Sequence, residues 1–192
     1  MSPAAGADTP DRELAALAAA GDDDAFAELV RRHERRVYNL ALRMLGRSED
    51  ARDAAQDAFV SCYRNLSKFR GDAAFSTWLH RIAVNACYDA LRRRREMLGL
   101  DEAPEPPPAP DHGDAVTTSV DVRRALLAVP EEFRTVLVLH DIQDLGYDEI
   151  ARILEVPVGT VKSRLHRARL ALGRVLAGEP PASPGPSKGE TT

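Results

Sequence analysis

The chain has 192 residues, 44% of them hydrophobic and 29% charged, with a formal net charge of −4. This composition suits a soluble globular protein and excludes a wholly disordered chain, a collagen-like fibre and an end-to-end coiled coil. No apolar run approaches the roughly 18 to 20 residues that span a bilayer, so no membrane insertion is expected, and the start lacks the basic and apolar stretches of a secretory leader.

Two cysteines without CxxC spacing, Cys62 and Cys87, make no disulfide framework. They read as small core residues of a reduced, cytoplasmic protein. Residues 1–21 read as an N-terminal extension with a short helix. From Ala25 to Leu45 the apolar residues Phe26, Leu29, Val30, Val37, Leu40, Ala41 and Met44 recur at helical spacing. Asp22–Asp24 supply an N-cap and Gly46 a stop. Ser48 is the expected cap of a second helix, with Ala51, Ala55, Ala58, Phe59, Cys62 and Leu66 on one side. Its other side bunches Asp53, Gln56 and Asp57, a surface for a basic protein partner or a solvated face. The run KFRGD at 68–72 breaks that helix.

A third helix is expected from Ser76 or Thr77 to Arg95. On a wheel of about 100° per residue, Leu79, Ile82, Ala83, Ala86 and Ala90 form the predicted buried face. The far side carries Trp78, Arg81, Asn85, Tyr88 and Arg92. Rings for stacking, cations for phosphate and an amide for a base edge are the mixture that single-stranded nucleic acid needs. Arg92–Arg95 add positive charge where the helix dipole favours it.

Eleven of the 13 prolines lie in the first ten residues, in 104–110, or after 178. The stretch 96–117 is proline-rich and acidic and reads as a flexible linker; 178–192 reads as a disordered tail. Between them, 118–177 forms a second helical part. Val122, Leu126 and Leu127 mark its first helix. Pro130 starts the next, with Phe133, Val136 and Leu137. Tyr147–Leu154, a break at 155–157 and a helix from Val158 to about Leu176 make a helix-turn-helix, in which Ala151 permits close crossing and Val156, Val161 and Leu165 fill the core.

The last helix holds five Lys or Arg between 158 and 174 and no acid. Val161, Leu165, Ala168 and Leu172 share a narrow apolar face, and Lys162, Ser163, His166 and Arg167 lie on a separate donor-rich face. Such a helix suits the major groove of duplex DNA. No metal-ligand spacing, phosphate loop or nucleophile elbow is present, so an enzyme is not expected. The other readings are a helix-turn-helix regulator whose first domain dimerises and a helical nucleic-acid-processing enzyme, against which the lack of paired acids or metal spacing argues.

The stretches EDARDAAQDAFVSCYRNLSKFRGDAAFSTWLHRIAVNACYDALRRRR (49–95) and AVPEEFRTVLVLHDIQDLGYDEIARILEVPVGTVKSRLHRARLAL (128–172), in this order, resemble the extracytoplasmic-function (ECF, group IV) sigma factors of bacterial RNA polymerase. The chain departs from the family pattern at Val129, where Leu is usual, and at Glu155, where Gly is common. The resemblance implies an all-α fold of two small helical domains, sigma-2 (22–95) and a helix-turn-helix sigma-4 (118–177), joined by the acidic linker. It implies core RNA polymerase as partner, with the β′ clamp on Asp53, Gln56 and Asp57 and the β flap on sigma-4. It implies promoter DNA as the other partner. Phe69, Asp72, Phe75, Ser76, Trp78, Arg81 and Asn85 would hold the melted −10 element. Lys162, Ser163, His166 and Arg167 would read the duplex −35 element, with Thr160, Arg164 and Arg169 on phosphates. The linker would thread toward the active-site and RNA-exit path, and an anti-sigma factor would often hold such a protein inactive.

Overall fold

The computed structural model describes residues 9–99 and 117–178, with side chains from 122 onward in the second stretch. All regular structure among the described residues is helical. The first unit comprises α1 (Asp11–Ala19), α2 (Asp23–Leu45), α3 (Ser48–Asn65) and α4 (Phe75–Leu98). The second comprises α5 (Thr117–Ala128), α6 (Glu131–Leu137), α7 (Tyr147–Leu154) and α8 (Val158–Leu176).

Asp22 caps α2 as expected, its carboxylate accepting from the Ala25 N–H at 3.0 Å. Gly46 ends α2 in the left-handed region, φ 81°, where a residue without Cβ is least strained. Ser48 does not cap α3. It is the first helical residue, behind an Arg47 that makes no side-chain cap bond. The buried stripe of α3 is small: Ala51, Ala54, Ala58 and Cys62. Short side chains let α2 and α4 approach α3 closely, so a three-helix core forms with few large residues. Burial pushes the Cys62 and Cys87 thiols up to about 12, which leaves them inert.

The buried face of α4 is Leu79, His80, Ala83, Val84, Cys87 and Leu91. That is rotated by about 80° from the face expected; Ile82, Ala86 and Ala90 are only half-buried. The cause is that α4 packs on α2, α3 and also α7, so it has more than one covered side. α4 also continues through Leu98 before Gly99 turns left-handed. Residues 96–98 are therefore helix rather than linker. The remainder of the expected linker, 100–116, and the tail from 179 lie outside the described residues.

In the second unit α6 buries Phe133, Val136 and Leu137 and widens into a π-helical turn, Val138–Ile142. The Gln143 N–H reaches the Val138 carbonyl at 3.0 Å. α7 and α8 close the helix-turn-helix over Ile150, Ile153, Val161, Leu165 and Ala168. The turn holds Glu155 at φ 55°, ψ 41°. A non-glycine side chain here costs roughly 1–2 kcal/mol.

The two units do not stand apart. They share one hydrophobic core. The Arg134 guanidinium, 8% exposed, donates across to the Met44 carbonyl at 2.9 Å. Gln143 donates to the Arg36 carbonyl at 3.3 Å. The Leu127 side chain lies against Gly46.

Candidate nucleic-acid interface

α8 presents the first candidate surface. Val161, Leu165 and Ala168 are buried against α6 and α7, which fixes the rotation of the helix. Lys162, Ser163, His166 and Arg167 are consequently exposed together. Lys162 Nζ sits 5.6 Å from the Tyr147 ring centroid, and that ring stacks on His140 at 5.0 Å and 25°. The Arg167 guanidinium lies 5.9 Å from the Phe133 ring centroid. Aromatic faces thus hold two of the cations in place without neutralising them. Ser163 Oγ donates to the Thr160 carbonyl at 3.0 Å; Thr160 itself is half-buried on the same first turn.

Two of the expected phosphate contacts are placed differently. Arg164 falls on another edge of α8. It pairs with Glu132 at 3.0 Å and lines the cleft toward the first unit. About 200° separates it from Lys162 on the helix, which removes it from the donor face. Arg169 is exposed but forks onto Asp141 at 2.6 and 3.3 Å. Its hydrogen bond and charge hold the Asp141 carboxyl below the usual range. A phosphate would have to displace that carboxylate.

The second surface is the α4 stripe with the loop before it. Phe69, Phe75 and Trp78 form a ring cluster, with centroids 5.3–5.9 Å apart. Phe75 is 3% exposed and also meets His33 at 5.5 Å. It cannot offer its face to a base, which corrects the expectation of direct contact: it is the floor on which Phe69 and Trp78 rest. Phe69, Ser76, Trp78 and Arg81 are half-buried; Asp72 and Asn85 are exposed. Gly71 turns the loop at φ 75°, and a Cβ there would lie 2.9 Å from Arg12 Nε of α1. α1 is itself pinned by Asp11, whose carboxylate accepts from Arg32 at 2.9 Å and from His33 at 2.6 Å.

Between this stripe and the second unit runs a cleft of about 500 Å³. Trp78, Arg81, Asn85 and Tyr88 line one wall; Ile153, Leu154, Glu155 and Arg164 line the other. Arg81 pairs with Glu155 at 2.7 Å. The Tyr88 hydroxyl donates to Thr135 Oγ1 at 2.9 Å. Arg95 pairs with Glu131 at 3.0 Å. The sequence reading missed Asn65 and Lys68, which also line this cleft and bond each other at 2.8 Å. Lys68, in the KFRGD run, was the available signal. It also missed Tyr147, which the wheel of α8 could not reveal because it lies on α7.

The third surface is the exposed side of α3. Asp53, Gln56 and Asp57 are all exposed and edge a groove of about 670 Å³ that ends at Met97 and Leu98. Asp57 is paired with Arg93 at 3.1 Å. Among the described residues no cluster of three or more metal-ligating side chains occurs, and no helix is long and apolar enough to cross a membrane.

Comparison with known proteins places both units. The family model for Sigma-70 region 2 matches residues 29–97, and that for Sigma-70, region 4 matches residues 119–172. The chain is 46% identical over 168 residues to the ECF RNA polymerase sigma factor SigM of Mycobacterium tuberculosis, covering 86% of this chain and 84% of that one. It is 39% identical over 170 residues to the ECF RNA polymerase sigma factor SigW of Bacillus subtilis, covering 81% and 91%. Among solved structures, CnrH in complex with the cytosolic domain of CnrY is similar at a TM-score of 0.68 and 31% identity, covering 88% of this chain and 97% of that chain.

Proposed function

Because the chain belongs to the ECF sigma factors of bacterial RNA polymerase, we propose that its three surfaces divide promoter recognition between them. As a sigma factor it binds core polymerase and promoter DNA to direct transcription initiation. The residue assignments are these. The α8 face of Lys162, Ser163, His166 and Arg167 reads the duplex −35 element, helped on phosphates by Thr160 and, once freed from Asp141, by Arg169. Phe69, Asp72, Ser76, Trp78, Arg81 and Asn85 trap the melted −10 element. Asp53, Gln56 and Asp57 dock the β′ clamp, and the second unit meets the β flap. Sigma-2 spans 22–98 and sigma-4 spans 118–177. The chain itself performs no covalent chemistry.

The exposed donor face on the second helix of the helix-turn-helix carries this reading most directly. A duplex reader and a single-strand trap on one chain bind two DNA segments with high effective concentration once polymerase fixes their spacing. Base capture offsets part of an unstacking cost of a few kcal/mol. An anti-sigma factor is the proposed regulator, supported by the likeness to CnrH, solved with the cytosolic domain of CnrY. Transcription in vitro with core polymerase across a promoter library tests the assignment. Holoenzyme carrying this chain initiates at a defined subset where core alone does not; initiation no different from core alone refutes it.

A further inference from the structure

We propose that Asp141 is a positioning residue of the duplex reader: through the His140 and Tyr147 rings it sets the Lys162 side chain against its base in the −35 element. The inference deepens the assignment of the α8 face to that element and rests on it.

A continuous run of contacts carries it. The Arg169 guanidinium donates to both Asp141 oxygens, at 2.6 and 3.3 Å. His140 Nδ1 donates to Asp141 Oδ1 at 2.7 Å. The His140 ring stacks on Tyr147, with centroids 5.0 Å apart and planes at 25°. Lys162 Nζ lies 5.6 Å from the centre of the same Tyr147 ring. The run joins the π-helical turn, the first residue of α7 and the first turns of α8. A π turn is wider than an α-helical one and is frequent at functional sites. Here two adjacent residues of that turn meet different helices, His140 on α7 and Asp141 on α8.

Each member has a physical task. Lys162 is a point charge on a flexible four-carbon stem, so reading one base requires something that narrows its rotamers. A ring face does this without neutralising the ammonium. Tyr147 is itself 37% exposed, and the stacked His140 supports it. The Asp141 carboxylate holds one nitrogen of that imidazole and so fixes its rotation. Hydrogen bonds from Arg169 and His140 keep the carboxyl below the usual range despite some burial, so it stays an acceptor. Arg167, the other cation of the face, is braced separately by Phe133 of α6 at 5.9 Å. Two readers on one helix thus have independent supports, and only one of them depends on Asp141.

The test uses holoenzyme carrying the full chain, on promoters recovered from the library. Each base pair of the −35 element is substituted in turn, and transcription from matched and mismatched templates gives a discrimination ratio at each position. Lys162→Ala and Arg167→Ala first mark the positions that each side chain reads. Asp141→Ala is then expected to lower discrimination about three-fold at the Lys162 position, the scale of an exposed cation–ring contact, and to leave the Arg167 position unchanged. His140→Ala does the same, and Asp141→Ala adds nothing in that background. Asp141→Asn keeps an acceptor for His140 and retains most of the ratio. Both Asp141 variants release Arg169, so any rise in binding to unrelated duplex is common to them and does not separate them. Equal losses at the two positions, no loss at either, or an Asn variant no better than Ala overturns the proposal. Because the ratio compares templates for one protein, a drop in stability or active fraction cancels from it. Should Lys162→Ala lower discrimination nowhere, the assignment of the α8 face fails and takes the proposal with it. Should it do so while Asp141→Ala does not follow, only the positioning role fails.

Discussion

The α8 face and the α4 stripe draw on similar side chains, rings and cations with one polar hydrogen-bonding group, but their surroundings differ. On α8, Tyr147 and Phe133 brace Lys162 and Arg167 from below and leave their charge outward. On α4, Arg81 and Tyr88 are already partnered by Glu155 and Thr135 from the other unit. The duplex reader is preorganised, and the single-strand trap is folded with two of its groups already partnered. A duplex presents its grooves without rearrangement, so a rigid reader loses little by standing ready. A melted strand exists only after polymerase has acted, so a partnered trap loses nothing beforehand.

If the two units share one core, they unfold together. Leu139, fully buried in the π-helical turn that packs on α2 and α7, tests this. Leu139→Ala is expected to cost about 2–5 kcal/mol. Trp78 is the one tryptophan and reports the first unit, while far-ultraviolet circular dichroism reports both. The expected outcome is one transition, shifted equally in both signals. A Trp78 transition that stays in place while the helical signal splits would separate the units and break the comparison.

Arg167→Ala addresses the open face. A side chain that reads a base is expected to cost about 1–3 kcal/mol at the −35 element, measured as relative transcription from matched and mismatched upstream sequences. Asn85→Ala is expected to impair opening, followed by permanganate reactivity, more than closed-complex binding. An unchanged −35 preference in the first variant, or equal losses in the second, reverses the roles of the two faces.

Much of this was legible in the sequence because the signals are local. The limits of α7 and α8 followed from apolar spacing and the break at Pro157, and the start of α2 from its acidic cap. The donor face of α8 followed from the wheel, since a helix buried on one narrow side must expose the other. What was not legible is long-range. Phe75 looked like a stacking ring, but its neighbours from α2 bury it. Arg164 looked like a phosphate contact, but Glu132, on another helix, draws it into the cleft. The buried face of α4 was misplaced because a wheel assumes one covered side and α4 has more. Glu155, a departure from the family's glycine, gave no hint of Arg81, seventy-four residues away.

Gly46→Ala probes the same interface at lower amplitude. The backbone there is left-handed, φ 81°, which costs an alanine roughly 1–2 kcal/mol. The new methyl would also collide with the Leu127 side chain from α5. Reduced thermal stability, with the transition of both units shifted together, is the expected result. A midpoint that does not move would place the α2–α5 contact outside the packing that holds the units together.

The smallest effect concerns pH. His80 is 4% exposed on α4, and its Nδ1 donates to the Ser76 carbonyl at 2.7 Å. Among the described residues its Nε2 makes no aligned hydrogen bond, although the Gln143 side chain of the second unit is close enough to favour the charged form. Burial dominates and lowers the pKa below the ordinary 6.5, aided by the nearby His33 and Arg36 and opposed by Ser76 and Gln143. The unfolded chain therefore takes up a proton that the folded chain refuses. Stability is full above 6.5 and falls as pH drops below it toward the folded-state value. Glu28 does not blur this window. Hydrogen bonds from Arg31 and Arg32 hold its carboxyl at about 2 against an ordinary 4.5, so its contribution is lost only as pH falls from 4.5 through about 2. His80→Gln keeps a donor for Ser76 and removes the titration, and is expected to flatten the decline just below pH 6.5 in denaturant midpoints. A decline of equal slope in the variant would assign the acid sensitivity to another group and leave the interface without a protonation-dependent part.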